Sequence, residues 1–126
     1  MAELFSILTF DEVKVSEVLN ISDVYTTVAT LNTPLRAAGK YMLGLSLTYT
    51  FTSTTNSAFL QWRIDGGAWN VYQREPKDNT DKTANFYSYP DDYAEGAHTV
   101  EVQMRKEDAA GTLDIQFLDI YFQRIG

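Results

Sequence analysis

The sequence predicts an all-β fold, a two-sheet antiparallel sandwich of jelly-roll type with about eight strands. Three observations predict it. Apolar and polar residues alternate with period two along several segments, and turn residues separate those segments at short intervals. No stretch approaches the roughly 18 consecutive apolar residues of a membrane-spanning helix.

The clearest alternation covers residues 41–51. Tyr41, Leu43, Leu45, Leu47, Tyr49 and Phe51 fall on one face, with Met42, Gly44, Ser46, Thr48 and Thr50 on the other. Side chains alternate sides along a strand, so one face is apolar and the other mostly small and polar. A parallel strand covered on both faces would be apolar throughout, so the pattern indicates an antiparallel, half-buried strand.

The other elements follow in chain order. Residues 4–10 read as a strand, and 11–19 as a strand with a loop or, alternatively, one short helix. Residues 25–31, rich in Thr and Val, form a strand ended by Asn32-Thr33-Pro34, and Ala38-Gly39 turns the chain into the strand at 40–51. Leu60, Trp62 and Ile64 alternate with Gln61 and Arg63 before Asp65-Gly66-Gly67-Ala68. Glycines after an aspartate supply the positive φ of a tight hairpin, which pairs 58–65 with 68–75. Residues 76–82 are a polar loop, and 83–90 a short strand leading into a turn at Pro90-Asp91-Asp92. Glu95-Gly96 opens a strand on which His98, Val100, Val102 and Met104 share a face. In the last strand Leu113, Ile115 and Phe117 give way to Leu118, Ile120 and Phe122. That change of phase predicts a bulge, because one extra residue swaps the faces. No second domain or internal repeat is visible. Residues 1–30 form an N-terminal arm or the first strands, and 31–126 the sandwich.

Composition narrows the function. At 126 residues the chain suits one domain that buries about two-thirds of its unfolded surface. The absence of Cys excludes disulfides, Cys-ligated zinc and thiol nucleophiles, and a single His excludes multi-His metal cages. With 17 acidic and 10 basic side chains, the net charge of -7 opposes general nucleic-acid binding. The first residues show neither a basic region nor a long apolar core, so a chain without a signal peptide and without membrane contact is expected. Asn20-Ile21-Ser22 matches a glycosylation acceptor by spacing alone.

No catalytic motif stands out, and no enzyme, cofactor or metal is expected. His98 is a candidate general base, but no nucleophile lies beside it in sequence. Its place at a strand start suits a residue that caps the core and bonds a loop carbonyl. Asp65, Asp91, Asp92, Asp114 and Asp119 could supply a glycosidase pair, yet solvent-facing carboxylates on strands are ordinary, and Asp65 suits the hairpin turn. Asp114, opposite the Leu113/Ile115 face, should be solvated. Asp78-Asn79-Thr80-Asp81 offers oxygen ligands without the spacing of a calcium loop, and reads as a turn. Trp62 shares the Leu60/Ile64 face and belongs to the core. Trp69, Tyr72, Tyr87, Tyr89 and Tyr93 are the candidates for a subunit interface or for stacking on a sugar, since each joins a flat apolar area to a polar tip. The run Phe86-Tyr-Ser-Tyr-Pro90 is the first place to expect an exposed patch.

Four stretches carry a resemblance: 35–41 leading into the alternating strand, Ile64-Asp65-Gly66-Gly67-Ala68-Trp69, Glu95-Gly96-Ala97-His98-Thr99-Val100, and the closing Phe122-Gln123-Arg124-Ile125-Gly126. Together they resemble small all-β jelly-roll proteins of tailed bacteriophage virions, over about residues 30–126. Trimeric tumour-necrosis-factor-like and C1q-like heads share similar spacing. The resemblance implies a non-enzymatic virion component, a capsid decoration protein or a head or tail fibre domain. It would be made in the host cytoplasm, self-associate as a trimer, and dock on major capsid or tail proteins. The other function expected of such a sandwich is carbohydrate or receptor binding, with a glycan stacked on Trp69 or the tyrosines.

Overall fold

The computed structural model describes residues 9–53, 57–74, 82–87 and 90–126, and for 73–74 and 82–87 the backbone alone. Ten strands run through the described residues: β1 (Phe10–Val15), β2 (Val18–Ile21), β3 (Thr26–Asn32), β4 (Gly39–Phe51), β5 (Ala58–Ile64), β6 (Asn70–Arg74), β7 (Lys82–Tyr87), β8 (Asp91–Tyr93), β9 (Thr99–Lys106) and β10 (Leu113–Arg124). All pairings are antiparallel. One sheet has the order β1-β10-β4-β7, with β2 also on β10 and β8 also on β4; the other has the order β3-β9-β5-β6.

Ten segments occupy eight strand positions. β1 and β2 lie end to end along β10, on residues 118–123 and 113–115, while β7 and β8 lie end to end along β4. Counting each such pair once, the sheets read 1-8-3-6 and 2-7-4-5, the jelly-roll arrangement. The expected eight strands are therefore present, with two of them in pieces. Residues 11–19 are strand, not helix, and 10–32 hold β1, β2 and β3, so the described part of the N-terminal segment is integral to both sheets. Asp91, expected in a turn, instead opens the short β8. Residues 1–8 and the Asp78–Asp81 turn lie outside the described residues.

The core sits between the sheets. On β4 the six odd-numbered apolar residues from Tyr41 to Phe51 are buried, and on β10 so are Leu113, Ile115, Leu118, Ile120 and Phe122. The facing layer adds Val28, Ala29 and Leu31 from β3, Ala58 and Leu60 from β5, and Val100, Val102 and Met104 from β9. The expected bulge is present. Ile115 pairs with Tyr49 but Phe117 with Thr48, so Gln116 is the extra residue, Phe117 turns outward and Leu118 returns to the core.

The hairpin between β5 and β6 is as expected. Asp65 and Gly66 have φ of 54° and 68°, and the Gly67 amide donates to the Ile64 carbonyl at 3.1 Å. Two consecutive positive-φ residues define the type I′ geometry.

Two charged features tie β1 to its neighbours. Asp11 points inward and is buried, and Arg36 grips it with Nε and Nη2 at 3.0 and 2.6 Å. The bond to Asp11 holds the Arg36 guanidinium above its ordinary pKa, against the opposing effect of burial. On the outer face of the same sheet, Phe10 stacks on Tyr121, whose ring lies over Gly44. A Cβ at Gly44 would overlap that ring. Beside them, burial first, and then the bond and charge of Glu12, raise the Asp119 carboxyl above the ordinary carboxylate range, with Lys14 opposing.

Two outcomes follow from this packing. Leu118→Ala, which empties a fully buried position next to the bulge, should cost about 2–5 kcal/mol in urea denaturation. Asp119 binds its proton more tightly folded than unfolded, so its contribution is complete at low pH and is lost as pH rises through the folded-state pKa. Asp119→Asn should therefore flatten the fall in stability that sets in as pH rises above the ordinary carboxylate range of about 4, read from urea midpoints measured upward from there.

Candidate ligand-binding face

Alternation dictates what the outer face of the β3-β9-β5-β6 sheet displays. Where Leu60, Val102 and Met104 point inward, Phe59, Gln61, Arg63, Glu101, Gln103 and Arg105 must point outward. Register then sets them in rows. Thr27, Gln103, Gln61 and Val71 stand side by side across the four strands, with Thr30, Glu101 and Arg63 in the next row and Arg105 beside Phe59 in the row on the other side.

These side chains bond to one another. Gln61 Nε2 donates to Gln103 Oε1 at 2.7 Å, and Gln103 Nε2 to Thr27 Oγ1 at 3.2 Å. Arg63 Nε and Nη2 meet the two Glu101 oxygens at 3.0 and 3.3 Å. Aromatic rings flank the polar rows. The Arg63 guanidinium lies 4.3 Å from the centre of the Trp69 ring; that of Arg105 lies 4.3 Å from Phe59 and 5.1 Å from Tyr25. Gln61 is 92% buried by its neighbours, while Thr27, Thr30 and Val71 are exposed. The result is a face of amides, hydroxyls and paired charges, with half-buried rings braced by guanidinium groups.

Sequence reasoning reached only part of this face. Of the five aromatic candidates, Trp69 lies on it. Tyr72 packs against the core and is half-buried. Tyr93 also packs there, in contact with Tyr41, His98 and Phe122, and burial, followed by the charges of Asp91 and Asp65, raises its phenol pKa. Tyr87 belongs to β7, where only the backbone is described; Tyr89 and the centre of the Phe86–Pro90 run lie outside the described residues. Of the three whose side chains are described, Trp69 lies apart from Tyr72 and Tyr93, which turn to the core. Phe59, Tyr25, Gln61, Arg63, Glu101, Gln103 and Arg105 were missed, although the first strand-by-strand alternation marks six of them as the reverse of a core face.

The remaining candidates take structural positions. His98 is buried, with Nδ1 2.7 Å from Asp65 Oδ2 and Nε2 3.1 Å from the Ala94 carbonyl. Asp65 Oδ1 also accepts from the Thr99 amide at 2.9 Å, and Thr33 exchanges bonds with the His98 backbone. Arg36 forms an isolated bridge with Gly96. The stretches around 36, 65 and 96–98 thus meet at one end of the sandwich and close it, with His98 as the strand-end cap. Asp114, expected to be solvated, is half-buried and accepts from the amide of Asn20, a residue at φ 55°. Among the described residues no three His, Cys, Asp or Glu side chains converge to hold a metal ion.

No protein-family model matches the sequence, and neither does any curated protein. Solved structures share the fold. The mosquito-larvicidal Cry4Aa toxin from Bacillus thuringiensis superposes with a TM-score of 0.53 and 11% identity, over 93% of this chain and 24% of that one. The TmCBM61 module, solved in complex with β-1,4-galactotriose, gives 0.51 and 16%, over 90% and 82%. Bacillus endospore appendages, which form disulfide-linked pili, give 0.50 and 11%, over 94% and 89%. The chain thus spans about a quarter of the toxin's length and most of the length of the module and the pilus subunit. At such identities the likeness is one of fold: this chain is a β-sandwich module.

Asp65→Ala should cost about 1–3 kcal/mol in urea denaturation, because it strips a buried imidazole and a backbone amide of their acceptor. Asp65→Asn, which keeps one acceptor and tolerates positive φ, should cost less.

Proposed function

We propose that the chain is a non-catalytic module that binds carbohydrate on the outer face of the β3-β9-β5-β6 sheet. The observation that carries the reading is the composition of that face: rings of Trp69, Phe59 and Tyr25 beside the amides of Gln61 and Gln103 and the Arg63–Glu101 pair. A pyranose presents C–H groups on its faces and hydroxyls around its rim. Flat aromatic area suits the first, and planar donors and acceptors suit the second. The polar side chains are already ordered by mutual bonds, which lowers the entropy lost when a ligand is bound. The less buried Gln103 amide has further donor and acceptor capacity beyond the bonds it makes within the face. The fold likeness to a module solved with a galactotriose supports the same reading.

The virion-component reading rests on stretches that this fold uses to close its own end, and none of the structures named above is a capsid decoration protein. It carries a separate expectation, a trimer by light scattering.

A glycan array followed by titration of tryptophan fluorescence tests the proposal. Binding to at least one glycan is expected, and Trp69→Ala should weaken it by about tenfold, the equivalent of 1.4 kcal/mol, in a chain that still unfolds cooperatively in urea. Failure to bind any glycan would remove the reading.

A further inference from the structure

Three arginines with described side chains lie on or beside this sheet, and they differ in one respect. Arg36 and Arg63 each hold a carboxylate with the same edge of the guanidinium, Nε together with Nη2: Arg36 holds Asp11, and Arg63 holds Glu101. Arg105 is anchored by the opposite side. Its Nη1 donates to the carbonyls of Lys106 at 2.9 Å and Glu107 at 3.3 Å, and its Cζ lies near the rings of Phe59 and Tyr25. Among the described residues no carboxylate meets its Nε and Nη2, and Glu107, the nearest acid in sequence, bonds instead to the Ser57 amide at 3.2 Å.

We propose that the Nε/Nη2 edge of Arg105 receives a carboxylate of the ligand, so that the glycan bound on this face contains a uronic-acid unit. The proposal rests on the carbohydrate-binding reading and goes beyond it by naming the charge of the sugar. Two parallel N–H groups match the two oxygens of a planar carboxylate, as Arg36 and Arg63 show within the same molecule. The backbone carbonyls and the two rings hold the guanidinium in place before binding, so little side-chain freedom is lost. Among the described residues no carboxylate cancels its charge, whereas the Arg63 charge is cancelled by Glu101. In a chain of net charge -7, a fixed, uncompensated guanidinium on a polar sheet face selects an anionic partner that long-range attraction would not bring.

The experiment is isothermal titration of the full chain with three probes: β-1,4-galactotriose, tri-galacturonic acid and a sulfated galacto-oligosaccharide of equal length. The acid should bind at least about tenfold more tightly than the neutral trimer, with the tetrahedral sulfate between them. Arg105→Gln should bring the ratio of the acid and neutral affinities to about one, whatever its effect on both, and Arg105→Lys should restore only part of that ratio. Equal affinity for acid and neutral probes in the wild-type chain would overturn the uronate assignment and leave carbohydrate binding intact. Preference for the sulfated probe would also overturn it, in favour of a sulfated ligand. Absence of binding to every probe in this titration and on the glycan array would defeat both readings at once.

Discussion

The pairing of the two long central strands is the constraint on which the rest depends. Gly39–Phe51 and Leu113–Arg124 lie side by side over most of their length, and each also carries an outer strand in two pieces. Their inward side chains supply eleven of the fully or nearly fully buried apolar residues. One residue of slip would turn every one of those side chains to water, so hydrophobic burial holds the register. The Gln116 bulge lets both halves of the last strand meet that demand, because it resets the phase where the outer strand changes from one piece to the other.

A register held by burial also places the opposite side of the facing sheet. Once Val100, Val102, Met104, Ala58 and Leu60 are inward, Arg63 must meet Glu101, Gln61 must meet Gln103 and Arg105 must meet Phe59. The polar face is thus a by-product of core packing in its positions and a matter of residue choice in its chemistry. A sheet that served only to cover the core could carry any soluble residues there. Linked amides, a bidentate ion pair and rings laid on guanidinium planes are a more particular choice.

Much of the fold was legible because burial writes period-two patterns directly into the chain. The six alternating residues from Tyr41 to Phe51, the Asp65-Gly66 turn and the phase change after Phe117 each have one simple structural solution. The short pieces Val18–Ile21 and Asp91–Tyr93 were harder to read, since three or four residues cannot establish a period and their pairing is imposed by the neighbouring strand. The site was less legible still. Trp69 drew attention as a large aromatic near a turn, but Tyr72 and Tyr93 look the same in sequence and turn to the core. Partnership across strands, such as Arg63 with Glu101 at a separation of 38 residues, follows from register and leaves no local mark.

The interrupted borders of the first sheet have a consequence for how copies of the chain could meet. An unbroken outer strand is a template on which another chain can add its own backbone bonds. Here one border is interrupted at Ser16-Glu17, with Asn20 in a left-handed conformation pinned by Asp114, and the other is likewise divided between two strands. Neither offers a long, straight row of amides and carbonyls, so lateral fusion of neighbouring molecules along that sheet is disfavoured. Contacts between copies along that sheet would fall to side chains.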